Sequence, residues 1–187
     1  FNKKLGNLLI GILIIMMMSG NYRICTALEL TVKQITSNHS QQLPAIHKNY
    51  VVYIDYAEYS NINSDIFLYD LVTEQTSRIT QYPSIKLYPN IYENYIVWLD
   101  TRNGGYDVYG CDLSTHTEKR ITAYTTPAMT TNEYRPGIYG NKIVYYDNRN
   151  GYLNGDGFNW DIWMYDLSTE EETQITFNTA SQYDPDI

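Results

Sequence analysis

A chain of 187 residues is long enough for one ordinary domain and too short for two. Its 13 basic residues against 21 acidic ones give a net charge of −8 and leave no basic patch to neutralise phosphates, which excludes a nucleic-acid partner. Three histidines and two cysteines, with no G-x-S-x-G elbow, no phosphate-binding glycine loop and no Cys/His metal spacing, argue against an enzyme, and no catalytic residue is expected.

Residues 1–27 read as a secretory signal peptide. Lys3 and Lys4 precede an apolar run from Leu8 to Met18, and Ser19, Gly20 and Cys25-Thr26-Ala27 supply the small-residue end, with cleavage after Ala27. The run is short for a bilayer, so no stable membrane span is expected after cleavage. Its removal leaves 10 basic and 21 acidic residues, a net charge near −11, and Cys111 without a disulfide partner. Asn38-His39-Ser40 is a sequon that makes Asn38 a candidate glycan acceptor.

From there the chain repeats itself. VKQIT at 32–36 is an ending without a beginning, and three full units follow at 44–80, 89–122 and 136–176. Pro185-Asp186-Ile187 begins another, so the chain is expected to be a fragment. Each unit opens at a proline and carries an Asn (Asn49, Asn94, Asn141) at a tight turn. A β-branched or aromatic run follows, VVY at 51–53, IVW at 96–98 and IVY at 143–145. Next come DIFLYDL at 65–71, DVYGCDL at 107–113 or DIWMYDL at 161–167, then a turn and a polar strand ending in Ile-Thr. That makes four strands per unit, A to D. Strand C is apolar on both sides: Ile162 and Met164 point one way, Trp163 and Tyr165 the other, as required of a strand stacked between two neighbouring sheets.

A period of 45, 47 and 49 residues between successive prolines, with four strands in each, predicts an all-β protein: a β-propeller of four-stranded antiparallel blades, three of them present in 28–187. VKQIT is then the closing strand, over 30–36, of a last blade. PNIYENYIVWLDTRNG at 89–104, PGIYGNKIVYYDNRNG at 136–151 and DIWMYDLST at 161–169 resemble the TolB-like propeller repeats of archaeal and bacterial cell-surface proteins. The first unit departs from this pattern, with DYAEYSNINS at 55–64 where the others carry Asp-x-Arg-Asn-Gly. The resemblance implies a partial six- to seven-bladed ring, a secreted or cell-surface location, and attachment to further surface modules.

Loop lengths point to the functional face. The A–B turn and the C–D segment have constant length, whereas B–C spans 10, 7 and 14 positions and D–A spans 8, 9, 14 and 9. In an antiparallel blade these two variable connections emerge on one face of the disc, where they diversify without disturbing the packing. The candidate contacts there are Tyr124, Asn132, Glu133, Tyr134, Tyr152, Phe158 and Trp160. Aromatics beside Asn and Asp suit glycan and protein partners alike. Asn154, Asp156, Asn159 and Asp161 are spaced as a loose oxygen-donor loop acceptable to Ca²⁺, although the full EF-hand pattern is absent, and no other cofactor is expected. The Asp-x-Arg pairs at 100–102 and 147–149 read as structural ion pairs. The expected function is a non-catalytic binding or scaffolding unit at the cell surface. The alternatives are a TolB-like periplasmic envelope-coupling protein, or the propeller domain of a lyase or peptidase with its catalytic part elsewhere. A truncated ring would also expose blade faces and promote self-association.

Overall fold

A computed structural model describes residues 32–36, 40–56, 63–122, 135–149 and 159–187. The chain divides into two compact units, Phe1–Ser37 and Asn38–Ile187. In the first, residues 32–36 carry no strand.

The second unit contains no helix among its described residues and consists of three four-stranded antiparallel sheets. The first blade is β1 (Ser40–His47), β2 (Tyr50–Tyr56), β3 (Ser64–Asp70) and β4 (Thr76–Arg78). The second is β5 (Lys86–Tyr92), β6 (Tyr95–Asp100), β7 (Asp107–Asp112) and β8 (Thr117–Arg120). The third is β9 (Gly137–Tyr139), β10 (Lys142–Asp147), β11 (Asp161–Asp166) and β12 (Glu171–Gln174). Every sheet is a simple meander, and none closes on itself. This is a partial β-propeller.

Strand A begins earlier than the repeat suggests in two blades. β1 starts at Ser40 and β5 at Lys86, ahead of Pro44 and Pro89. The prolines cannot donate to the ladder, so pairing breaks and resumes with a shifted register between Gln42 and Ala45 and between Leu87 and Asn90. Leu43 and Tyr88, just before them, adopt the left-handed backbone, with φ of 50° and 51°.

The conserved end of each unit has a mechanical explanation. The hydroxyls of Thr80, Thr122 and Thr176 accept the backbone N–H of Ile66, Val108 and Ile162 at 3.0, 3.0 and 2.8 Å. They donate in turn to Asp65, Asp107 and Asp161 at 3.0, 3.4 and 3.4 Å. Each Ile-Thr therefore clips the end of strand D to the start of strand C. At the other end of strand C, Asp70, Asp112 and Asp166 accept the N–H of Val72, Ser114 and Ser168 at 2.8, 2.8 and 2.9 Å, which fixes the C–D turn.

Blades stack through strands that bury both faces. Val52, Ile66 and Leu68 of blade one pack with Ile96, Trp98, Tyr109 and Cys111 of blade two. On its other side, blade two packs Val97, Leu99, Val108 and Ile121 with Ile143, Tyr145 and Tyr165 of blade three. Each fully buried apolar side chain in these layers contributes about 1.5–3 kcal/mol relative to exposure. Gly110 stands where the other blades have Leu68 and Met164, and the Tyr95 ring fills the space: a Cβ at Gly110 would lie 2.4 Å from Tyr95 Cε1.

Candidate binding face

At the B–C end of every blade two aspartates stand opposite each other across strands B and C: Asp55 with Asp65, Asp100 with Asp107, and Asp147 with Asp161. Like charges placed this way repel. In blade two, Arg102 bonds Asp100 at 2.6 Å and Glu118 at 2.9 Å, and its guanidinium stacks 4.2 Å from the Tyr109 ring centroid. Arg120 bonds Asp107 at 2.8 Å. In blade three, Arg149 bonds Asp147 at 2.8 Å and also Glu172, and stacks 4.0 Å from the Trp163 ring. Blade one lacks this arginine, and it carries Thr76 where Glu118 and Glu172 stand; Gln41 bonds Asp55 at 3.0 Å instead, and Arg78 bonds Asp65 at 2.6 Å. The Asp-x-Arg pairs are therefore structural.

Electrostatics agree with that reading. Burial alone would raise the Asp100 carboxyl, but hydrogen bonds from Arg102, Ser84 and Trp98 outweigh it and hold the group below its ordinary range. The fully buried Lys86 bonds the carbonyls of Tyr82 and Ser84 and lies 3.8 Å from Asp65. Burial depresses its ammonium, opposed by Asp100 and Asp65. These groups are mutually satisfied, and among the described residues no cluster of three His, Cys, Asp or Glu could hold a metal ion.

The two variable connections share one face. Ser64 N–H donates to Ser84 O at 3.1 Å, Thr101 N–H to Ile85 O at 3.1 Å, and Gln182 N–H to Trp160 O at 2.6 Å, so the D–A segments that follow Thr80 and Thr176 run against B–C ends. Of the residues expected to form the contact surface, Tyr124, Asn132, Glu133, Tyr134, Tyr152 and Phe158 lie outside the described residues, as do Asn38, Asn154 and Asp156. Trp160 is described, and it is an inward residue, 9% exposed. Its indole meets Tyr146 edge-on with ring centroids 5.6 Å apart, and Tyr183 covers both rings at 6.3 and 5.6 Å. Among the described residues of the D–A segment after Thr176, the exposed aromatics are Tyr183, 54% exposed, and Phe177, 77% exposed. Sequence reasoning overlooked them because they lie in a D–A segment of ordinary length. Of the suggested calcium donors, Asn159 donates to Asn178 O at 2.8 Å, and Asp161 is buried under Thr176.

The opposite face carries a different feature. His47, Tyr92 and Tyr139, each at the end of a strand A, form a row with ring centroids 4.6 and 4.7 Å apart. Lys48 and Glu93 pair beside it at 2.5 Å. His116 lies in the C–D turn of blade two.

No protein-family profile matches the sequence, and no curated protein does either. Solved structures do match. The structure of TolB from Acinetobacter baumannii aligns over 82% of this chain and 36% of its own, with 19% identity and a TM-score of 0.59. A TolB-type structure from Agrobacterium tumefaciens aligns over 75% of this chain and 50% of its own, with 14% identity and a TM-score of 0.57. The chain thus spans between about a third and a half of the structures it resembles. The blade order, the meander within each sheet and these matches agree on the fold: a TolB-like β-propeller, three blades of which are described here.

Proposed function

We propose that this chain is part of an extracytoplasmic, non-catalytic binding or scaffolding module that presents its B–C/D–A face to protein or glycan partners. One observation carries the reading: the Thr clips, Asp turns and blade cores are copied from unit to unit, while length varies only in connections that reach this face. A surface under binding selection varies where the scaffold does not. The signal-like residues 1–27 and the acidic composition support export, and the same face would carry any calcium held by the 154–161 loop.

The experiment shortens the connection between Asp147 and Asp161 to the length found between Asp100 and Asp107. Saturable binding of the full chain to envelope preparations from its source cells is then measured, with thermal melting as the folding control. Loss of binding at unchanged melting temperature is expected. Equal binding by the shortened chain, or no binding by either, would overturn the reading.

A further inference from the structure

We infer that the open side of blade three is an acceptor site for one further unit of the same repeat, a unit that brings strands B, C and D but no strand A. The site lies apart from the B–C/D–A face and does not depend on what that face binds. The first argument is that residues 182–187 already follow the course of a strand A. Lys86 and Gln182 each stand three residues before a proline, and their N–H groups bond Ser64 Oγ and Trp160 O, both at 2.6 Å. Ser64 and Trp160 each directly precede the first aspartate of a strand C. Asp184, before Pro185, has φ of 51°, the same left-handed kink as Leu43 before Pro44 and Tyr88 before Pro89. A residue before proline disfavours that geometry, so its recurrence marks one shared backbone path. Beyond the proline, Ile187 N–H bonds Asp186 Oδ1 at 3.0 Å as Ile91 N–H bonds Asn90 Oδ1 at 2.8 Å. Asn90 Nδ2 donates to Pro136 O at 3.4 Å, and a Cβ on its counterpart Gly137 would lie 3.7 Å from Pro185 O.

The second argument is that this strand has neither its edge nor its face covered. β1, β5 and β9 each pair with a strand B, whereas 182–187 belong to no sheet. Ile187 is 46% exposed, against 3% for Ile91 and 6% for Ile138 at the same position. On the same side of blade three, Ile162, Met164 and Ile175 correspond to Ile66, Leu68 and Ile79, against which blade two packs Ile96 and Trp98.

The third argument selects the occupant. A preformed extended edge takes an extended segment through main-chain hydrogen bonds at little ordering cost. The segment must also be apolar on both sides, as YIVWLD is at 95–100, to cover Ile187 and the blade-three face together. A complete blade is excluded, because its own strand A would claim the place that 182–187 hold. A second copy of this chain can lie against Ile175 but cannot pair with 182–187, since each of its strands B already has a strand A.

Amide exchange tests this on the full chain and on the chain lengthened after Ile187 by a second copy of residues 92–122. The reporter is Asp186, counterpart of Asn90, which pairs with Val97 in blade two. Fast exchange at Asp186 is expected in the full chain, slowed tenfold or more in the lengthened one, with no slowing when the added segment carries Ile96→Asp and Trp98→Asp. Unchanged exchange in the lengthened chain overturns the inference, as does an added segment that stays unfolded beside folded blades. Equal slowing by the aspartate variant also overturns it. Slow exchange at Asp186 in associated, unlengthened chains would make the occupant a second copy and overturn it too.

Discussion

Arg102 shows how one residue type depends on another 16 positions away. Its guanidinium neutralises Asp100 and Glu118 while lying on the Tyr109 ring, and blade one, which lacks the arginine, also lacks the glutamate. Breaking such a pair from one side strands a buried charge. Arg102→Ala is therefore expected to cost about 3 kcal/mol in denaturant unfolding, and Glu118→Thr in the same chain should recover part of it, as a double-mutant cycle would read out. Protonation acts on the same groups. Asp70, Asp100, Asp112 and Asp166 are all held below the ordinary value of 3.8, Asp100 by Arg102, Ser84 and Trp98 against its burial, Asp166 first by Lys142. A lowered native pKa gives stability that is complete above the unfolded value and lost as pH falls through the native one. The melting temperature should stay level from pH 7 to 5 and drop below about pH 4; a decline beginning near pH 6 would assign the effect to other groups.

At the scale of the element, the Ile-Thr ending acts as a fastener for strands that would otherwise be too short. Strand D has only three or four residues. The threonine hydroxyl extends its grip by accepting the N–H of the strand C residue that follows the aspartate and donating to that aspartate. Thr122→Val keeps the shape and removes both bonds, leaving the Val108 N–H buried without that acceptor. A loss of about 1–3 kcal/mol is expected, with amide exchange accelerated at Val108 before the rest of the blade; uniform acceleration would show that the clip is not local. The Asp of the C–D turn and the prolines of strand A are comparable devices. They were visible as repeated letters, but a repeated threonine does not reveal which N–H it will meet.

Across the whole molecule, stacking decides which apolar faces are covered. Ile121 in blade two is 5% exposed because blade three packs on it, whereas its counterpart Ile175 in blade three is 47% exposed. Ile162 and Met164 on that same face are only partly buried, against 3% exposure for Val108. We expect the chain to associate through this face, with Ile175→Lys reducing the weight-average mass in sedimentation at unchanged secondary structure. A monomeric wild-type chain would contradict this.

The strand order, the four-strand period and the turns were legible because they depend on local alternation and on residues that recur in phase. IVW, DIWMYDL and Asn before the hairpin need no distant partner to declare themselves. The side of the disc that varies was legible too, since loop lengths are a property of the chain alone. Only the tertiary structure decided what each recurring polar residue does. The pairing of Asp100 with Arg102 could be read from their spacing, but not that Arg102 also bonds Glu118 and lies on the ring of Tyr109, which arrive from other strands. It also reversed the role of Trp160, which looked like a surface contact in a long loop and lies instead beneath Tyr183. An aromatic side chain faces water or core according to what folds over it, and that covering segment, 178–184, belongs to a connection that sequence spacing gave no reason to notice.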